Sequence, residues 1–315
     1  MSTLRILLLA FLLPLQANAC LWVDGTTMDG SHRSIGGHFP AIQLRNILNE
    51  SPEDKIEWVT RSRRNEEQDA FSQTEIEGVG EVLKGNHDRA IRIFEQAETD
   101  HPGRYSTAVN LGTAYELKGE LELALKWISE GIRRNPESHL GTEWLHVEIL
   151  KTRQKLKEDS GYLRQNHVIK LPDSYSAESI VLIGDHRYTV DQIADSIHYQ
   201  LQERMIFVKP PDPIVADLLF IFGQIEGRTN VVESGIKLFE MANAYGFANQ
   251  ELISAEIERY EQAIRYGKIK RTTYIVLAIA TFFLLLFFAW RKKWFFISRA
   301  AYLKHRTDKH MHPDI

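Results

Sequence analysis

The chain has 315 residues, one cysteine and a formal charge of −4, from 38 basic and 42 acidic side chains. One cysteine excludes an intrachain disulfide framework. The acidic balance argues against a nucleic-acid partner.

The first residues read MSTLRILLLAFLLPLQANAC. Arg5 precedes an apolar run from Ile6 to Leu15, and Ala17-Asn18-Ala19 supplies the small residues a signal peptidase reads. Residues 1–19 are therefore expected to be a secretory signal, too short to span comfortably. Ala19 and Cys20 flank the cut. Bacterial lipoprotein signals end in a lipid-modified cysteine at this place but carry leucine where Ala17 stands, so lipidation of Cys20 and plain cleavage both remain open. An exported domain without disulfides suits a bacterial envelope better than animal secretion.

Residues 20–70 read as an N-terminal loop followed by short helices. Asp24-Gly25, Asp29-Gly30 and Gly36-Gly37 mark Leu21 to Phe39 as loop. His32 and His38 lack the spacing of a metal site, and no metal is expected. Pro40 to Glu50 and Pro52 to Arg64 carry short helical patterns.

An internal echo at 34 residues follows. Leu83-Lys84-Gly85 falls on Leu117-Lys118-Gly119, Gly78 on Gly112, Ala90 on Ala124, Phe94 on Ile128, Ala97 on Gly131 and Pro102 on Pro136. A fixed period of this length marks a helical repeat array. The small residues allow two helices to approach, and Phe94 and Ile128 fill the space beside them. Gly85 and Gly119 fall where a helix end takes left-handed backbone, and Pro102 and Pro136 stop the second helices.

This pattern resembles the tetratricopeptide repeat family. The unit Tyr105 to Ser138 carries it best, through Leu111-Gly112, Tyr115, Gly119, Ala124, Ile128, Gly131 and Pro136. The unit Phe71 to Arg104 matches in its second helix but has Glu81 where the family carries an aromatic residue. Residues 139–157 continue the helical pattern as a degenerate unit or cap, so the array covers 71–160. The resemblance implies antiparallel helix pairs whose first helices line a protein-binding groove, here Ser106, Val109, Asn110, Thr113 and Glu116. Some members grip a free C-terminal carboxylate. Asn110 fits that mode, but Glu75, Val79, Leu140 and Trp144 do not, so a different ligand is expected.

Residues 161–213 form an insert. Ile180-Val181-Leu182-Ile183 with the turn Gly184-Asp185 predicts a hairpin through Tyr188. Thr189 reads as a helix cap with Gln192 as its partner. His186 reads as an exposed turn residue. Pro210-Pro211-Asp212-Pro213 is a stiff connection. A further unit spans 214–267, because Gly235, Phe239 and Ala242 follow Gly223 at 12, 16 and 19 residues, as Ala124, Ile128 and Gly131 follow Gly112. Its closing stripe, Ile253, Ile257, Tyr260 and Ile264, reads as a cap or a dimerisation seam, which leaves homo-oligomerisation open. Gly267 is expected to separate this helix from the next segment.

Residues 272–290 read as a membrane span, with no charge between Tyr274 and Trp290 and a length of about 28 Å. Seven basic residues follow it and five precede it, so flanking charge alone orients it weakly. The signal settles the expectation: residues 20–273 outside the cytoplasmic membrane, the basic tail 291–315 inside on anionic lipid. The tail carries +5 and the signal +1, which leaves −10 on the rest.

Nucleophile-elbow, metalloprotease, Cys-pair and phosphate-loop motifs are all missing from the sequence. The expectation is an all-α tetratricopeptide-type solenoid with a small β-hairpin insert and one C-terminal transmembrane helix. Its expected role is non-enzymatic and cofactor-free: a scaffold that holds an unknown protein or peptide at the periplasmic face. The alternative is a subunit of an envelope enzyme, or a signal receptor, working through residues 179–202.

Overall fold

The computed structural model describes residues 24–35, 40–51, 53–57 and 70–291. The expected signal, Ala19, Cys20 and the tail beyond Arg291 lie outside the described residues. The fold is mostly helical, with two small antiparallel hairpins.

The segment expected to be a loop contains the first hairpin, β1 (Asp24–Thr26) and β2 (His32–Ser34). Gly30 takes a positive φ of 75° in its turn, and Asp29 accepts from the Thr27 and Ser31 hydroxyls. Strands of three residues are too short to show alternation, so the sequence displays only the turn. Helix α1 (Pro40–Asn49) follows as expected.

The 34-residue echo becomes two helix pairs, α2 (Ala70–Leu83) with α3 (His87–Asp100), and α4 (Tyr105–Lys118) with α5 (Leu121–Arg134). Gly85 and Gly119 sit between paired helices at φ 79° and 89°, a region that penalises side chains. A Cβ on Gly112 would meet Ile128 Cδ1 at 2.5 Å, and one on Gly131 would meet Val109 Cγ1 at 2.5 Å. A Cβ on Gly78 would collide with the Phe94 ring. Ala90, Phe94, Leu111, Ala124 and Ile128 are fully buried in the shared core. Glu81, at the aromatic position of the first unit, is buried too. Its carboxylate accepts from Asn86 at 2.8 Å and Lys84 at 3.2 Å, and these bonds hold it below the usual carboxylate range.

After a 3₁₀ turn at Ser138–Gly141 comes α6 (Glu143–Glu158), a single helix. His139 and Leu140 have φ of 50° and 57° although neither is glycine. The insert forms as expected: β3 (Ile180–Ile183) pairs with β4 (His186–Thr189), and Ile183 faces His186 across a turn in which Gly184 has φ 57°. Thr189 caps α7 (Val190–Arg204) in a reciprocal box with Gln192.

The next pair is α8 (Pro213–Thr229) and α9 (Val232–Ala244). A Cβ on Gly223 would meet Phe239 at 2.7 Å, repeating the glycine-on-bulky spacing of the first two pairs. Gly235 lies against the Gly223 carbonyl, and Ala242 is fully buried. The hairpin β1–β2 docks on this pair: Thr26 N–H donates to Glu233 at 2.8 Å, and Arg33 donates to the Thr229 carbonyl at 2.9 Å.

Helix α10 (Gln250–Arg291) runs 42 residues without a break. Gly267 therefore does not separate two helices; one interior glycine costs a helix only about 1 kcal/mol, which its neighbours absorb. Chain contacts divide the molecule into Met1–Ile264 and Arg265–Ile315. In the first unit, Ile253 and Tyr260 are fully buried in the core, so this stripe caps the helices and is not free as a dimer seam. In the second, Tyr274, Leu277, Phe283, Phe287 and Trp290 are exposed. Among the described residues α10 is the one helix long and apolar enough to cross a membrane.

Candidate functional site

The expected groove residues lie on α4, and the structure divides them. Ser106, Asn110 and Thr113 are half-buried on one stripe. Ile76 and Val79 occupy the positions 34 residues earlier and are half-buried as well. Val109 is 5% exposed and packs against Gly131, so it is core rather than groove. Glu116 is also withdrawn, because the chain's own later helices cover it.

Glu116 sits at the centre of a buried charge cluster. Arg204 of α7 donates to its Oε1 at 2.5 Å and to its Oε2 at 3.2 Å. Arg153 of α6 reaches Oε1 at 2.7 Å, and His146 lies 2.7 Å from Oε2. Burial alone would raise the Glu116 pKa, but Arg204, His146 and Arg153 outweigh it and hold the carboxyl well below its usual range. His146 also faces Glu143, which is bonded to His139. Burial opposes ionisation of Glu143, yet the two histidines bring its pKa down to about 2. Burial disfavours the charged form of His146, but bonds to Glu116 and Glu143 raise its pKa on balance.

Arg153 extends the cluster to a second helix pair. Its Nη2 donates to Asp212 at 2.9 Å. Asp212 caps α8, accepting from Ile214 N–H at 3.0 Å and Val215 N–H at 2.9 Å. One guanidinium thus joins the inner face of α4 to the start of α8. Removing one partner of such a buried pair leaves an uncompensated charge. The cluster can fix helices and respond to protonation. Among the described residues there is no group of three or more His, Cys, Asp or Glu side chains placed to hold a metal ion.

On the insert, His186 is exposed, with its ring 6.3 Å from Tyr188. Tyr188 stacks on Trp144 at 4.3 Å and pins the hairpin to α6. Leu140, one of the positions that departs from the carboxylate-gripping pattern, is 84% exposed.

The sequence reading missed Arg153, Arg204, His146 and Glu143. Their partners lie 30 to 88 residues from Glu116, so no local spacing reveals them. The one available signal was a carboxylate on the inner stripe of an otherwise small and apolar helix, which needs a cation wherever it is covered. No protein-family model and no curated protein matches the chain.

Proposed function

We propose that the chain is a membrane-anchored scaffold that holds a protein partner on tetratricopeptide-like helix pairs outside the cytoplasmic membrane, its residues beyond Arg291 facing the cytoplasm. The observation that carries this reading is the spacing rule shared by three pairs. Gly78 under Phe94, Gly112 under Ile128 and Gly223 under Phe239 each stand 16 residues apart and in contact. Helix arrays of this kind present first-helix side chains to partners. The stripe left half-buried on α4, Ser106, Asn110 and Thr113, continues into Ile76 and Val79 on α2. Polar groups beside apolar ones suit an extended or helical segment of another protein. The exposed apolar stretch of α10 supports anchoring. The scaffold reading assigns no catalysis, and it expects His186→Ala to leave pathway output unchanged.

The test is affinity purification of the full-length protein from membranes after mild crosslinking, beside Asn110→Asp combined with Thr113→Lys. The proposal expects one discrete partner to be recovered with the native chain and lost with the variant. Equal recovery with both overturns the α4 face as the holding surface.

A further inference from the structure

Helix α7 has two faces. Ile193, Ile197 and Leu201 are fully buried in the core. On its other side Gln192, Asp195, Tyr199 and Gln202 line a cavity of about 450 Å³, whose second wall is Leu140, Trp144 and Tyr188. From Gln192 to Gln202 the helix advances about 15 Å, the length of four to five extended residues. The site is therefore a groove along a helix, and longer than a single small side chain.

Its charge is one-sided. Asp195 is the only carboxylate among the lining residues, and no lysine or arginine lines the groove. Among the described residues its side chain has neither a hydrogen-bond partner nor an ion-pair partner. Asp191, one turn earlier, adds a second negative charge. Partial burial, with Asp191 adding repulsion, pushes the Asp195 carboxyl above its usual range. The neighbouring charges do not supply the missing cation. His139 lies 5.6 Å from Tyr199 but is engaged by Glu143. Arg187 pairs with Leu182 across the hairpin, on the face opposite Tyr188.

The remaining surfaces complement a cation on an apolar stem. Trp144, Tyr188 and Tyr199 offer aromatic faces, which attract ammonium and guanidinium groups. Leu140 stands outward at the rim, in left-handed backbone that costs a leucine strain; such strain persists where the surroundings enforce it. Gln192 accepts from Thr189 N–H through its oxygen, which leaves its amide hydrogens to donate. Gln202 has its nitrogen turned to His198, which leaves its oxygen to accept. A donor and an acceptor at the two ends of a groove match the two polar groups of a peptide backbone.

We propose that this groove binds an extended segment of the partner protein that carries a lysine or arginine between apolar residues, with its cation on Asp195. The inference rests on the partner-holding reading and names the chemistry the partner brings. The acidic side chains of the groove select such a segment by charge, and its aromatic wall takes the apolar stem.

The test uses the full-length protein in detergent and a fluorescent peptide, acetyl-Ala-Leu-Lys-Leu-Ala-amide, read by anisotropy. Saturable binding is expected, weakened at least about tenfold by Asp195→Asn or by norleucine or glutamate in place of the peptide's lysine, as loss of a charge-assisted bond requires. Glu122→Gln, on exposed α5 surface, leaves binding unchanged. Binding that ignores Asp195→Asn, equal affinity for the norleucine or glutamate peptide, or no saturation at millimolar protein overturns the proposal. Displacement by free cadaverine at the peptide's own affinity overturns the peptide as occupant. This assay reads the groove alone, whereas crosslinked capture with the α4 variant reads partner holding on the repeat face, so either can fail while the other succeeds.

Discussion

The pairs α4–α5 and α8–α9 obey one packing rule and end in different surroundings. Both set a glycine of the first helix under a bulky residue of the second. Yet α4 keeps a half-buried polar stripe, whereas α8 is buried almost all round, from Ile214 to Gly223. A helix that is hydrophobic on every side belongs at the centre of a core. Its one charge there, Asp217, is 1% exposed and is satisfied by His167 at 2.6 Å and Val168 N–H at 2.7 Å. The glycine rule determines how two helices pair. What packs on the pair determines whether it offers a face to a partner. Between the two pairs stand α6, the hairpin and α7, so the third pair is not simply the next turn of an uninterrupted array.

Breaking the contact that links the two regions gives the largest expected effect. Glu116→Ala strands Arg204 and Arg153 in a buried site and is expected to cost about 3–5 kcal/mol, read by chemical denaturation. A loss below about 1 kcal/mol, the range of an exposed pair, would show that the cluster is solvated.

Acid and base should weaken the same cluster from opposite sides. Glu143 has its folded pKa lowered from 4.5 to about 2, so its contribution is present above pH 4.5 and disappears as pH falls towards 2. His146 has its folded pKa raised above 6.5, so its contribution is full below pH 6.5 and is lost as pH rises through the folded value. Thermal melts are expected to peak between these limits. A melting temperature that climbs steadily from pH 6 to pH 9 would contradict the His146 assignment.

Gly112→Leu and Gly223→Leu test the shared rule in the two regions and are each expected to cost about 1–3 kcal/mol or more by overpacking. The cost should be larger at Gly223, whose neighbours include the Gly235 carbonyl at 3.1 Å as well as the Phe239 ring. A neutral result at Gly112 would break the register of the α4–α5 pair. The smallest effect sharpens the rule by reversing its sign. Gly80 lies in α2 with open space where its Cβ would stand. Gly80→Ala is expected to stabilise by about 0.5–1 kcal/mol.

Much of the local architecture was legible. The pairs follow from a 34-residue spacing, and α7 begins where Thr189 and Gln192 stand three residues apart. The hairpin β3–β4 was visible because four apolar, largely β-branched residues meet a Gly-Asp turn. The hairpin β1–β2 was hidden because three-residue strands carry no period, and because its support, Glu233, lies far along the chain. Left-handed backbone at His139 and Leu140 had no sequence sign, since neither residue favours it. The candidate site was half legible. Ser106, Asn110 and Thr113 follow from the position of a repeat's inner stripe. The loss of Glu116 to Arg204, 88 residues away, depends on tertiary packing that no local pattern encodes.

The most direct test of the scaffold account places a photo-crosslinking amino acid at Asn110 in the full-length protein in native membranes, and in a second sample at Glu122 on the exposed outer surface of α5. The account predicts a discrete protein adduct from Asn110 and none from Glu122. An adduct from Glu122 alone, or from neither position, would contradict a partner held on the inner face of α4.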